Sequence, residues 1–175
     1  MEIMESKQQN LFQHAMAYGA IMGGLFSVNF LMSTMGKVGN MLSYLVIGAI
    51  AYCTYYFVCL FRDRECDGVL SYGKGLSYIV MLYFFAAVIS SVVKYVFFMW
   101  ISPDFLSNLL NQSLLLLEEM NIPSMDESVT QQTLETMLSP MVYVLQSLWM
   151  NVFMGLFVGF IVAAFAKKEK NLFEE

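Results

Sequence analysis

Charge is what this sequence has least of. Of its 175 residues 13% are Asp, Glu, Lys or Arg while 58% are hydrophobic, about half the charge of an ordinary soluble domain. A core of this size cannot hide that many apolar side chains, so a bilayer must take the excess. Basic residues are scarcer than acidic ones, nine against fourteen, for a net charge of -5. Without clustered Lys and Arg to neutralise phosphates, nucleic acid is excluded as a partner. One histidine, His14, and three irregularly spaced cysteines, Cys53, Cys59 and Cys66, make neither a metal-ligand spacing nor a disulfide framework. No metal and no cofactor is expected.

The features that carry catalysis are also missing. No acid lies inside an apolar run, no Ser-His or Cys-His pair has a placeable partner, and no glycine-rich loop follows a strand to hold phosphate. An enzyme is therefore not expected.

Against these absences stands one organising stretch, residues 71–105. From Leu76 to Ile101 it is apolar and, at about 1.5 Å per helical residue, long enough to cross a hydrocarbon core of about 30 Å. Gly73, Lys74 and Gly75 lead in, Trp100 and the Ser102-Pro103 break lead out, and Lys94 lies inside. Three further spans are placed relative to it.

The first runs from about 14 to 34; the apolar run is too long for a signal-peptide core, with no A-x-A exit, so it stays in the protein. Small residues recur at every fourth position, Ala15, Gly19, Gly23 and Ser27. In lipid such a stripe permits close backbone approach between helices. A six-residue connection with two glycines, 35–40, suits a turn, and the second span covers about 41–61 with Tyr44, Tyr52, Tyr55 and Tyr56, the last two expected as interfacial anchors. His14 is expected as an interfacial residue. The fourth span runs from the start signal Ser139-Pro140 to about Ala166 and carries a matching stripe, Asn151, Gly155, Gly159 and Ala163. The two stripes are expected to pack on each other, or each on a second copy of the chain.

Between the third and fourth spans, residues 102–139 hold six acids and no Lys or Arg. Ser102-Pro103 is a helix start, and Phe105, Leu106, Leu109, Leu110, Leu114 and Leu117 recur with helical spacing. The reading is an amphipathic helix too short to span, lying on the bilayer or capping the bundle. Ser124-x-x-Glu127 is a capping box for a further helix to about Leu138.

Counting basic residues orients the chain. With four spans the N-terminus, the 62–74 loop and the C-terminus share a side holding Lys7, Arg62, Arg64, Lys74, Lys167, Lys168 and Lys170, while the other side holds Lys37 alone. The positive-inside rule puts both termini in the cytoplasm and the acidic insert outside. The fold class expected is all-α: a single polytopic membrane domain of four transmembrane helices with an extracytoplasmic helical insert between the third and fourth.

Ser71-Tyr72-Gly73-Lys74-Gly75, the long helix after it, the exit Ile101-Ser102-Pro103-Asp104-Phe105, the acidic helical insert and the last helix with its Lys-rich tail resemble a bacterial membrane family catalogued as domain-of-unknown-function family 4199. That resemblance covers nearly the whole chain. It implies a four-span inner-membrane protein of a Gram-negative bacterium and supplies neither an activity nor a functional residue.

An ionisable residue inside a membrane helix is a functional candidate by default, and Lys94 is the one. It lies about 27 Å along from Leu76, close enough to the outer surface to snorkel. In the alternative reading it converges with Ser90, one turn below, and with Asn29, Gln146 and Asn151 on a polar pocket suited to an anionic lipid headgroup. The function expected is that of an accessory or scaffold protein of the inner membrane, binding lipid, a membrane-protein partner or further copies of itself. The alternative is a small carrier or channel subunit acting as an oligomer.

Overall fold

The computed structural model describes residues 2–119 and 127–168, with side chains for 10–117, 119 and 131–168. Among these residues there are six α-helices and no strand: α1 (Glu2–Thr34), α2 (Gly36–Glu65), α3 (Tyr72–Val96), α4 (Asp104–Glu119), α5 (Glu127–Met137) and α6 (Pro140–Ala166), with a π-helical turn, Phe97–Ile101, continuing α3. Four stretches are long and apolar enough to cross a membrane: Asn10–Thr34, Gly36–Glu65, Tyr72–Ile101 and Pro140–Ala166. The chain groups into two compact units, residues 1–90 with 148–175, and residues 91–147.

In the first unit α3 touches each of the other three helices. A Cβ added at Gly19 of α1 would lie 2.6 Å from the Phe85 Cβ, and one at Gly23 2.8 Å from the Ile89 Cβ. The two numbers rise together, so α1 and α3 run parallel. A Cβ at Gly155 of α6 would lie 2.5 Å from the Tyr83 Cβ, and one at Gly159 2.8 Å from Leu76 Cδ1; here one number falls as the other rises, and α6 runs antiparallel to α3. From α2, Phe61 stacks on Tyr78 with centroids 4.4 Å apart and Thr54 meets the Tyr83 hydroxyl at 3.1 Å, again antiparallel. The helices alternate in direction, as consecutive crossings of one membrane require.

These contacts correct the expectation that the two small-residue stripes pack on each other. Both lie against α3, on two adjoining faces: Leu82, Phe85, Ala86 and Ile89 meet the α1 stripe, and Leu76, Ile79 and Tyr83 meet the α6 stripe. Two small stripes facing each other leave little to fill the gap, whereas each glycine opposite a large α3 side chain gives close packing without a void. Ala15 and Ala163 of the stripes are fully buried in the same core, with Met22, Phe26, Phe57, Phe61, Tyr78, Leu82 and Tyr83.

The connection between α1 and α2 is shorter than expected. It is Met35 alone, whose N–H donates to the Met32 carbonyl at 3.1 Å. Gly36 turns the chain at φ +77°, a backbone region that glycine enters at no steric cost, and Gly39 already lies in α2, where an added Cβ would run into the Met32 carbonyl oxygen and come within 2.7 Å of the Met35 Cβ. Both glycines are thus used, one for the turn and one for close approach. At the far end of the bundle Leu70 and Lys168 exchange backbone hydrogen bonds of 2.9 and 3.0 Å, and Arg62 Nη1 donates to the Ala166 carbonyl at 3.2 Å. A helix leaves its last carbonyls unpaired; here a strand-like bridge and a guanidinium occupy that end of α6.

The second unit is built on α4 and an aromatic knot. The Ser102 N–H closes on the Phe97 carbonyl at 2.9 Å, the five-residue spacing of a π turn. Ser102 and Pro103 then precede α4, whose Phe105 N–H donates to the Ser102 carbonyl at 3.2 Å. Phe98 lies between Phe105, centroids 5.8 Å apart, and Tyr143, 5.4 Å, and Leu106 is buried. Leu115 and Leu116 of α4 face outward. Pro140 is the first residue of α6, where its missing N–H costs nothing. The expected capping box ends at Glu127, the first residue of α5, but its Ser124 lies outside the described residues, as do Pro123 and Lys170.

Candidate functional site

Polar groups occur along the length of the first unit. At the end carrying the 62–74 loop, His14 Nδ1 is 2.8 Å from the Tyr78 hydroxyl. The imidazole also lies against Tyr18, with centroids 4.3 Å apart, and against Phe61 at 5.4 Å, while Lys74 Nζ stands 5.5 Å over the Phe61 ring. His14 is thus half-buried at that end of the bundle, with one ring nitrogen on Tyr78. One level on, Thr54 bonds both the Ile50 carbonyl, at 2.7 Å, and Tyr83, and the Phe26 ring meets Tyr83 edge-on at 5.3 Å. Beyond Tyr83, towards the other end of the bundle, lie Asn29, Ser90 and Asn151. Asn29 Oδ1, Ser90 Oγ and Asn151 Nδ2 are all buried without a hydrogen-bond partner, and Ser90 is fully buried. Buried polar atoms are normally paired; in this unit His14 Nε2 is the fourth such atom without a partner.

The second unit holds the other two residues expected in the pocket. The Lys94 ammonium donates to the Ser147 hydroxyl, whereas Gln146 is exposed. The lysine therefore turns to the neighbour of the residue expected. Ser147 was legible in the sequence: it precedes Asn151 by one turn and extends the stripe 151, 155, 159, 163 backwards. A lysine beside a serine invites comparison with an activated nucleophile. Ser147 sits inside α6, where its own backbone N–H neighbours are spent on helical bonds. The bond gives a lysine in an apolar helix a polar partner. Among the described residues no three His, Cys, Asp or Glu side chains gather in a way that would hold a metal ion.

A family model described as protein of unknown function (DUF4199) matches residues 17–168. The chain belongs to that family. The match begins within α1 and ends at Lys168, so it takes in all six helices and the resemblance drawn from the 71–75 entry and the 101–105 exit. No curated protein and no solved structure matches the chain. For this DUF4199 chain the reading of function therefore rests on the groups just described.

Proposed function

We propose that this DUF4199 protein is a non-catalytic accessory or scaffold protein of the bacterial inner membrane, with both termini cytoplasmic and the 102–139 insert outside, that holds a membrane-protein partner or an anionic lipid. The observation that carries this reading is the filled centre of the four-helix unit. Met22, Phe61, Tyr78, Leu82 and Tyr83 are buried at 0 to 2% exposure, and the glycines of α1 and α6 bring two backbones directly against α3. A bundle packed in this way is a rigid platform, and a solute path through it has to displace large side chains. The basic asymmetry of seven against one supports the orientation. The Lys94 ammonium is the group suited to an anionic headgroup.

A second reading, a small carrier subunit, draws on Asn29, Ser90 and Asn151, whose unpartnered polar atoms suit water or a solute. Purification in mild detergent, with copurified proteins and lipids identified by mass spectrometry and the same sample reconstituted in liposomes, separates the two. A stoichiometric protein or anionic lipid and no solute uptake is the result expected. Uptake by the purified protein without a retained partner overturns the scaffold reading.

A further inference from the structure

A hydroxyl inside an apolar helix ordinarily satisfies itself on the carbonyl one turn back. Ser27 does so on Gly23 at 2.8 Å, and Thr54 on Ile50 at 2.7 Å. Ser90 does not. It is fully buried, and its Oγ has no hydrogen-bond partner although the Ala86 carbonyl lies one turn back in the same helix. The hydroxyl is therefore turned away from its own backbone.

The neighbour on that side of α3 is α6. A Cβ added at Gly159 would lie 3.6 Å from the Ile79 Cβ, and one at Gly155 2.5 Å from the Tyr83 Cβ. Four residues back along α6 are thus four residues forward along α3, and the next step sets Asn151 opposite Ala87. Ile79, Tyr83 and Ser90 fall within about 40° of one line on α3, which puts Ser90 on the same face, one turn beyond Ala87. Helical side chains lean towards the N-terminus of their helix. Because the two helices are antiparallel, Asn151 leans towards the level of Ser90 and Ser90 back towards the level of Asn151. Asn151 Nδ2, like Ser90 Oγ, is buried without a partner. An amide and a hydroxyl therefore converge on one turn of the seam without bonding to each other. Where the next two turns set glycine against Tyr83 and Ile79, this one supplies two of the polar partners that a buried water needs.

We infer that a single buried water bridges the Asn151 amide and the Ser90 hydroxyl inside the α3–α6 seam, in a site closed to both sides of the membrane. The water accepts from the Asn151 N–H and the Ser90 O–H and gives its own protons to helical carbonyls, each of which has a second lone pair. Two buried groups that are costly alone are then both satisfied. The occupant is small because the walls are packed, with Tyr83 at 2% exposure and Ala86 and Ala87 at 0%. The site takes from the carrier reading two of the three groups that suit a solute path. It rests on the packed bundle of the scaffold reading and not on which protein or lipid that scaffold holds, so copurification and the measurements below fail independently.

The test uses the full chain in lipid bilayers. With isotopically labelled asparagine, the side-chain amide signal of Asn151, identified by its loss in Asn151→Ala, is expected to receive magnetisation from water by nuclear magnetic resonance. Ser90→Ala is expected to lose that transfer while the amide signal itself remains. In a chain with Cys53, Cys59 and Cys66 replaced by Ala, Ser90→Cys is expected to stay unmodified by a charged, membrane-impermeant thiosulfonate applied to either side, whereas Arg64→Cys, at an exposed position, reacts. No transfer from water to Asn151, or transfer unchanged in Ser90→Ala, overturns the bridge. Modification of Ser90→Cys overturns the closed site and puts a water-filled path in its place.

Discussion

Gly155 gives the most quantitative handle on the architecture. A methyl group there would lie 2.5 Å from both Cβ and Cγ of Tyr83, a side chain that is 2% exposed and held by Thr54. Neither helix yields easily, because Tyr83 is also fixed edge-on by Phe26. Overpacking at such a site costs about 1–3 kcal/mol, and displacing the Tyr83 hydroxyl from Thr54 about 1 kcal/mol more. Alanine also gains up to about 1 kcal/mol over glycine inside any helix, which partly masks the loss. Gly24, on α1 with nothing within 4 Å of an added Cβ, supplies the matched control, since Gly24→Ala carries the propensity gain without the collision. The difference between Gly155→Ala and Gly24→Ala is then about 2–4 kcal/mol. At about 2–4 °C per kcal/mol for a chain of this size, it is expected as a gap of roughly 4–16 °C in thermal unfolding in detergent. Equal melting temperatures for the two variants would refute the packing of α6 on Tyr83.

Three further outcomes are expected. Gly23→Leu and Gly159→Leu should each lower the melting temperature by prising α1 or α6 from α3, and unchanged melting in both removes α3 as the common partner of the stripes. Tyr78→Phe keeps the stack on Phe61 but strips His14 Nδ1 of its partner, a loss of about 1 kcal/mol readable in the same assay; no change means the His14 to Tyr78 bond is not formed in the folded protein. If Lys94 holds an anionic headgroup, Lys94→Met should lose that lipid in native mass spectrometry while Lys94→Arg keeps part of it. Identical lipid occupancy in all three forms removes the headgroup reading of Lys94.

Much of the fold was legible because membrane helices announce themselves by length and composition. The bounds of α6, Pro140 to Ala166, follow from the Ser139-Pro140 start and the Lys-rich end. Helix ends set by a single backbone event were harder to see. The α1–α2 corner takes one residue where six were expected, because Gly36 at positive φ does the turning and the helix resumes at once. Which small stripe meets which helix was illegible for another reason: a stripe says that something approaches closely, not what approaches. The answer lay in the larger residues of α3, whose two adjoining faces a one-dimensional periodicity does not separate. The partner of His14, Tyr78, was illegible because it is sixty-four residues away. Asn29, Ser90 and Asn151 were recognisable as polar residues in apolar helices, while Lys94 chose Ser147, a hydroxyl that continues the fourth-residue stripe.

Every functional statement above depends on four crossings with the ends of the chain on the cytoplasmic side, so the most direct test is a set of topology reporters. Fusions after residue 68 and at the C-terminus are expected to report the cytoplasm, and a fusion near residue 122 the exterior. A cytoplasmic signal at residue 122 would contradict the four-span arrangement and, with it, the scaffold.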